Sequence, residues 1–504
     1  MGLYIEKSVF NESDHAKFAC ELRQDLETLE MLLMSPGWGE GASTLGAELE
    51  LYLTDTNNRP APFNDQILTR ASDPHLTTEI NRFNLEYNCP YVALKGQPFT
   101  RLQRLLDKRI ISLQELADRE GIHVTPVGIL PTLLERDFDR SQMTDSPRYQ
   151  ALIKTLKQCR GEPFHIEIAG EDSLSLDIEE ATIEGANTSF QVHVRINPAE
   201  FASWYNALQI SSAFSLAIGA NSPTFLGKKL WHETRIPLFS QSVDCRNPVV
   251  EAHMPSRASF GQGYLRQSAI ELFRRGINLL PVLLPDWSDR AIESTSRSTE
   301  ISEENTVEQP QESPELRALR LHQSTVWYWN RPVYDKADGG HIRIELRSLP
   351  AGPTTLDMMA NAALSLGLAQ HCRKNIDYLM DMLPFEFARH NFFEAAKNGI
   401  DAMLVWGSQA GAVREYPVTE LLMPMLEGAT EGLMELGVNS KEANKWMSVI
   451  ERRLASRQTG AVWQLASLMH YEQRQSRYQA LSSMFSDYRA NSLTGEAVSG
   501  WTIH

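Results

Sequence analysis

The chain has 504 residues, of which 42% are hydrophobic and 22% charged, an ordinary globular balance that supports a large core and excludes a fibre or wholesale disorder. Its formal net charge of -16 excludes a broad nucleic-acid-binding face, which needs clustered Lys and Arg. Five scattered cysteines without a CxxC pair, a start that carries no targeting pattern, and a longest apolar run (residues 277–284) too short for a bilayer point to a reducing cytoplasm and away from membranes.

In chain order, Phe18, Leu22, Leu26, Leu29 and Leu33 recur at helical spacing and Ser35-Pro36-Gly37 closes the segment, which predicts an amphipathic helix. Leu45, Ala47, Leu49, Leu51 and Leu53 then alternate as one face of a strand, leaving Glu48 and Glu50 on the other. A weaker alternation through Phe83, Leu85 and Tyr87 presents Asn84, Glu86 and Asn88, with Glu79 shortly before. Leu102 to Leu116 predict a helix over 101–119, with Thr100 and Gln103 spaced for a capping box. Further strands are read at Phe164, Ile166 and Ile168, at Phe190, Val192, Val194 and Ile196, and at Ile342, Ile344 and Leu346. Residues 286–315 are acidic and rich in Ser, Glu and Gln, the composition of a mobile surface insertion. From Asp357 onward the pattern is helical, so residues 1–375 read as a catalytic domain and 376–504 as a helical region that packs on it or forms an interface, with a homo-oligomer left open.

Five one-sided strands predict an antiparallel sheet, because parallel sheets are buried on both faces and rarely alternate so cleanly. Residues two apart on a strand project together about 6.5–7 Å apart. The polar faces therefore carry Glu48 with Glu50, Glu86 with two asparagines, Gln191 with His193 and Arg195, and His341 with Arg343, Glu345 and Arg347. On any one strand this is the water-facing side of an ordinary sheet, where Glu and Arg pair across strands. As a set it departs from the Thr, Ser and Lys of exposed faces. Carboxylates with one imidazole select a hard cation, Mg²⁺ or Mn²⁺, that bridges substrate phosphates, and a planar guanidinium such as Arg347 stabilises charge on a transferring phosphoryl group.

The ordered set GAELELYL, EINRFNLEYN, SFQVHVRI, GANSPTFLGKK with downstream Arg235, and HIRIELRSLPAG resembles the glutamate-cysteine ligase type 2 family of carboxylate-amine ligases, over roughly residues 40–370. The resemblance implies an α+β fold of the glutamine-synthetase type, a curved antiparallel funnel with helices outside. It implies a ligase that uses ATP to activate a carboxylate, typically the γ-carboxylate of glutamate, as an acyl phosphate for attack by an amine such as that of cysteine. By the same resemblance, Glu48, His193 and Glu345 form one metal cluster and Glu50, Glu79 and Glu86 another. Arg347 stabilises phosphate, Arg235 and Arg331 contact nucleotide or substrate, and Asn221-Ser222-Pro223 lines the site, although turn chemistry alone would let that tripeptide simply end the preceding helix. The chain departs from the pattern at Ile196-Asn197, where many relatives have glycine, and in its acidic insertion, which leaves the acceptor open. Two rivals stand beside this reading: a metal-dependent hydrolase of amides or phosphate esters, which needs no ATP, and a noncatalytic metabolite-binding relative.

Overall fold

The computed structural model describes residues 3, 5, 7–247, 249–287, 313–407 and 413–503. The expected acidic insertion at 286–315 falls almost wholly outside the described residues.

The central element is a seven-stranded sheet that curls into a half-barrel. Its strands are β1 Thr44–Thr54, β2 Leu76–Thr78, β3 Asn84–Ala93, β4 His123–Thr125, β5 Phe190–Ile196, β6 Asn330–Asp335 and β7 His341–Leu346. They run in the order β6-β7-β5-β1-β3-β2, with β4 on the far end of β1. Every pairing is antiparallel, as the one-sided alternation predicts.

The apolar face of the sheet, with Leu49, Leu51, Val194 and Ile344 fully buried, belongs to one continuous core shared with the helices Pro98–Asp118, Phe201–Gly219 and Thr355–Arg373. Each such side chain contributes about 1.5–3 kcal/mol by leaving water. The polar face is not open to solvent. The helices Pro147–Arg160 and Arg317–Gln323 and the 3₁₀ turn Ala181–Ala186 stand over it and close it into cavities.

Two local expectations are corrected. Phe164, Ile166 and Ile168 do form a strand, but Phe164–Ala169 pairs with Ser173–Ile178 in a separate hairpin rather than joining the main sheet. The helix expected over 101–119 spans Pro98–Asp118, because Pro98, which needs no N–H partner, starts it. Thr100 thus lies inside the first turn instead of capping it. Its N–H and hydroxyl both donate to the Glu442 carboxylate, at 2.8 Å each, so the cap comes from far along the chain.

Beyond the Thr355–Arg373 helix, the chain continues as helices Ile376–Met382, Phe385–Asn398, Val418–Glu435, Ser440–Ser456, Gly460–Glu472 and Arg477–Thr494, interrupted by the hairpin Met403–Gly407 with Val413–Pro417. A buried ion pair between Arg453 and Asp357, at 2.7 Å, and a hydrogen bond from Val498 N–H to Asp357 tie these helices to the sheet-bearing part. Among the described residues, no helix is long and apolar enough to cross a membrane.

Candidate active site

Strand register brings the polar side chains together. Glu345 on β7 is the direct partner of His193 on β5, and Arg331 on β6 is the direct partner of Glu345. Glu48 lies two residues along β1 from the partner of His193, on the same face. The outcome is a cluster of Glu48, His193 and Glu345 whose ligand atoms lie within 4.8 Å of one another. A second cluster, Glu50, Glu79 and Glu86, meets the same limit: Glu50 and Glu86 are register partners on β1 and β3, and Glu79 enters from the turn before β3.

Both clusters sit out of bulk water, with Glu345 fully buried and Glu48, Glu50, Glu86 and His193 each under a tenth exposed. Glu50 is fixed by the Ser189 N–H at 2.7 Å and by the Ser189 hydroxyl and the Gln191 amide at 2.9 Å each. Glu86 accepts from Asn88 at 2.6 Å and from Thr77 at 3.2 Å. Arg331 forks onto both oxygens of Glu345, and Arg347 reaches Glu345 as well as the Gln191 side-chain amide oxygen, Oε1, at 2.6 Å. Arg347 therefore stands between the two clusters.

The electrostatics of the two clusters differ. Burial and the neighbouring Glu86 charge push Glu50 up to about 7, and burial with the charges of Glu86 and Glu50 raises Glu79 as well. Glu345 goes the other way: burial alone would raise it, but Arg331 and Arg347 hold it down to about 2. The first cluster contains a buried imidazole. His193 Nε2 lies 3.2 Å from Glu48 Oε1, and its Nδ1 is buried without a hydrogen-bond partner among the described residues. A buried imidazole that meets carboxylates and, among the described residues, no other polar group, and three crowded carboxylates next to it, are the donor sets that a divalent cation fits.

Two cavities meet here. One, of about 130 Å³, holds Glu50, Glu79, Glu86, Glu184, Arg148, Tyr149 and Arg347; the other, of about 220 Å³, holds His193, Phe273, Leu319, Tyr334 and Arg343. Glu48 and Arg331 line both.

A sequence model of glutamate-cysteine ligase family 2 (GCS2) matches residues 44–480. The chain belongs to this family. The match runs past residue 375 and takes in most of the helical region. The glutamate–cysteine ligase of Haloferax volcanii is 24% identical over 190 residues, covering 36% of this chain and 45% of that protein, so the chain spans less than half the length of this curated relative. The crystal structure of a glutamate–cysteine ligase from Francisella tularensis in complex with AMP superposes with a TM-score of 0.54 over 91% of this chain and 90% of that one, at 9% identity, a likeness of fold.

Within this GCS2 chain, the structure brings together Glu48, Glu50, Glu79, Glu86, His193, Glu345, Arg331 and Arg347. Arg235, Asn221 and Ser222, expected to contact nucleotide or substrate, do not line either of these two cavities. Asn221 and Ser222 are fully buried and Arg235 nearly so. The Asn221 amide donates to Ala351 O and the Tyr488 hydroxyl, the Ser222 hydroxyl donates to Glu233, and Arg235 donates to Glu233 and to the carbonyls of Arg347 and Ser348. Arg195 likewise turns away, to the carbonyls of Gly39 and Glu40.

Sequence reasoning missed Glu184, Arg148 and Tyr149 as cavity residues. Glu184 sits in the Ala181–Ala186 turn, where burial and then the Glu50 charge push it up to about 8. None of the three lies on an alternating strand, so no periodicity marks it. Gln191 carried a signal, since it shares a strand face with His193.

Proposed function

We propose that this chain is an ATP- and Mg²⁺-dependent ligase that joins the γ-carboxylate of glutamate to an amine, with cysteine the default acceptor. The observation that carries the reading is Arg347, a half-buried guanidinium held between two separate cation-type clusters in a family of glutamate-cysteine ligases.

Glu48, His193 and Glu345 would hold one Mg²⁺ or Mn²⁺, and Glu50, Glu79 and Glu86 another. Such ions, when bound, neutralise polyphosphate charge and align it for in-line transfer. The cavity lined by His193, Tyr334, Phe273 and Arg343 combines aromatic and apolar walls with guanidinium groups and suits a nucleotide. The smaller cavity around Glu50, Arg148 and Tyr149 suits the carboxylate and the amine. The AMP complex of the Francisella tularensis relative supports nucleotide use here.

In this reading a donor carboxylate oxygen attacks the γ-phosphorus of ATP, ADP leaves, and an acyl phosphate forms. The amine nitrogen then attacks the acyl carbon, the bond from that carbon to the phosphate oxygen breaks, phosphate leaves with the proton the nitrogen gives up, and an amide remains. Arg347 meets the transferring phosphoryl oxygens, a role for a fixed fork of donors in a water-poor site. Arg331 adds positive charge where both cavities meet. No covalent enzyme nucleophile is needed.

Incubating the purified protein with ATP, Mg²⁺ and pairs of candidate donors and acceptors, and measuring ADP and amide together, tests this. The ligase releases the two products in equal amounts only when both partners are present. Amide or phosphate-ester hydrolysis without ATP would replace this reading with the hydrolase, and nucleotide binding without any turnover would leave a noncatalytic relative.

A further inference from the structure

We propose that Arg235 is a positioning residue for Arg347, and that the helices Gly460–Glu472 and Arg477–Thr494 complete the active site by holding Arg235 and its partners in place. The inference rests on the ligase reading, in which Arg347 meets the transferring phosphoryl group. It gives Arg235 a different task from contacting a ligand.

The segment that follows β7 carries Arg347 into the site, and its carbonyls are held from behind. Arg235 Nη2 donates to Arg347 O at 3.3 Å and Nη1 to Ser348 O at 3.1 Å, while the Asn221 amide donates to Ala351 O at 2.8 Å. Arg235 is itself held by Glu233 at 3.2 Å. Glu233 is fully buried and accepts from Asn221 N–H at 2.9 Å and from the Ser222 hydroxyl. A buried carboxylate with these two donors and one guanidinium fixes the direction of that guanidinium, because both of its oxygens are already held.

The same Asn221 is clamped by the helices near the chain's end. Gln464 Nε2 donates to Asn221 Oδ1 at 2.9 Å and to Asn221 O at 3.1 Å. The Tyr488 hydroxyl accepts from Asn221 at 2.8 Å and donates to Pro126 O at 3.0 Å. Contact is close enough that a Cβ on Gly460 would lie 2.1 Å from Asn221 Oδ1. A continuous chain of buried hydrogen bonds thus runs from two distant helices through Asn221, Ser222, Glu233 and Arg235 to the backbone of the residue that would act on phosphate. Displacement of a catalytic group by about 1 Å is enough to cost about 100-fold in rate.

The test uses the full-length protein with Arg235→Met, Arg235→Lys and Tyr488→Phe, the last a mild change that keeps the ring in its packed place. Turnover and amide hydrogen exchange at Arg347 and Ala351 are measured on each. Arg235→Met is expected to lower kcat about 100-fold while the KM values for nucleotide, donor and acceptor stay within about twofold. Arg235→Lys recovers part of the rate by restoring one carbonyl contact. Exchange at Arg347 and Ala351 rises in Arg235→Met and in Tyr488→Phe. A large rise in one KM with kcat kept would make Arg235 a ligand contact and overturn the proposal, as would unchanged exchange in both variants. If the wild type forms no amide, the ligase reading fails, and the exchange measurements still decide whether Arg235 and Tyr488 hold this backbone. If Arg235→Met does not fold, Tyr488→Phe carries the same judgement.

Discussion

Glu50 and Glu86 face each other as direct register partners on β1 and β3, so the sheet itself presses two buried carboxylates together. Glu79 enters the same cluster from the preceding turn. Like charges at this separation oppose folding unless a cation or a proton compensates them; burial first, and the neighbouring carboxylate charges after it, raise both Glu50 and Glu79.

Glu79→Gln should therefore stabilise the protein in chelator while destroying function. Glu50 cannot be changed this way, because both its oxygens accept from Ser189 and Gln191. Among the described residues Glu79 accepts only from the Ile80 N–H, at 3.3 Å, so its amide keeps the volume and that acceptor, removes the repulsion and can donate to a neighbouring carboxylate. Changes of this kind commonly yield about 0.5–2 kcal/mol. Urea unfolding in EDTA measures the gain, and an ADP-release assay measures the loss. Equal stability of wild type and variant in EDTA would mean that Glu79 carries no strain in this cluster.

Divalent cations should raise the stability of the wild type and do so less in Glu48→Ala. A ligand at 100 times its dissociation constant stabilises by about 2.7 kcal/mol per site. Glu48→Ala removes a donor from the His193 cluster and leaves Glu50, Glu79 and Glu86 intact, so about half of the wild-type gain from Mn²⁺ should persist. Thermal melts with and without Mn²⁺ read this directly, and an unchanged shift in the variant would remove Glu48 from cation binding.

Much of this site is legible in the sequence because β-strands obey a period of two. Once Leu49, Val194 and Ile344 are assigned inward, Glu48, His193 and Glu345 must share the other face. What periodicity cannot supply is partnership. Phe164, Ile166 and Ile168 alternate as cleanly as Phe190 and Val192, yet they pair locally with Ser173–Ile178, since alternation states which face is buried and not against what. The same limit applies to Asn221, Ser222 and Arg235. Their types suit a ligand site equally well as a buried network, and only the fold shows that Gln464 and Tyr488 stand against Asn221. Thr100 was spaced for a local cap, but Pro98 starts the helix earlier and Glu442 takes the role.

Arg347→Lys should lower kcat about 100- to 1,000-fold with small effects on KM, the magnitude seen when one preorganised donor to a developing charge is lost. In arginine one nitrogen, Nη1, donates to both the Gln191 side-chain oxygen and the Glu345 carboxylate, so Nη2 and Nε remain to face the cavity; a lysine nitrogen that makes those two contacts has no second nitrogen to present. Steady-state kinetics varied in each substrate separates the two parameters. A KM effect alone would place Arg347 in ground-state binding instead.

Glu442→Ala should cost about 1–2 kcal/mol of stability without altering kcat, because it leaves the Thr100 N–H and hydroxyl without their acceptor at a helix start. Denaturant unfolding beside turnover distinguishes this from a role at the site, which it does not line.

His322 sets an acid-sensitive limit on the fold. It is buried in the Arg317–Gln323 helix, where its ring Nε2 contacts Gly276 O at 3.1 Å, and burial, with the nearby Arg257 charge, lowers it from the ordinary 6.5 to about 4. The unfolded chain therefore binds a proton between about pH 6.5 and 4 that the folded chain refuses. Stability from the neutral ring is complete above 6.5, declines as pH falls through that window by about 3 kcal/mol, and falls no further from this group below 4. His322→Gln retains a donor for Gly276 O and removes the titration. Urea unfolding at pH 7 and pH 4.5 should show the variant losing about 2–3 kcal/mol less than wild type across that interval. Parallel losses in the two proteins would mean that His322 accepts its proton in the folded state.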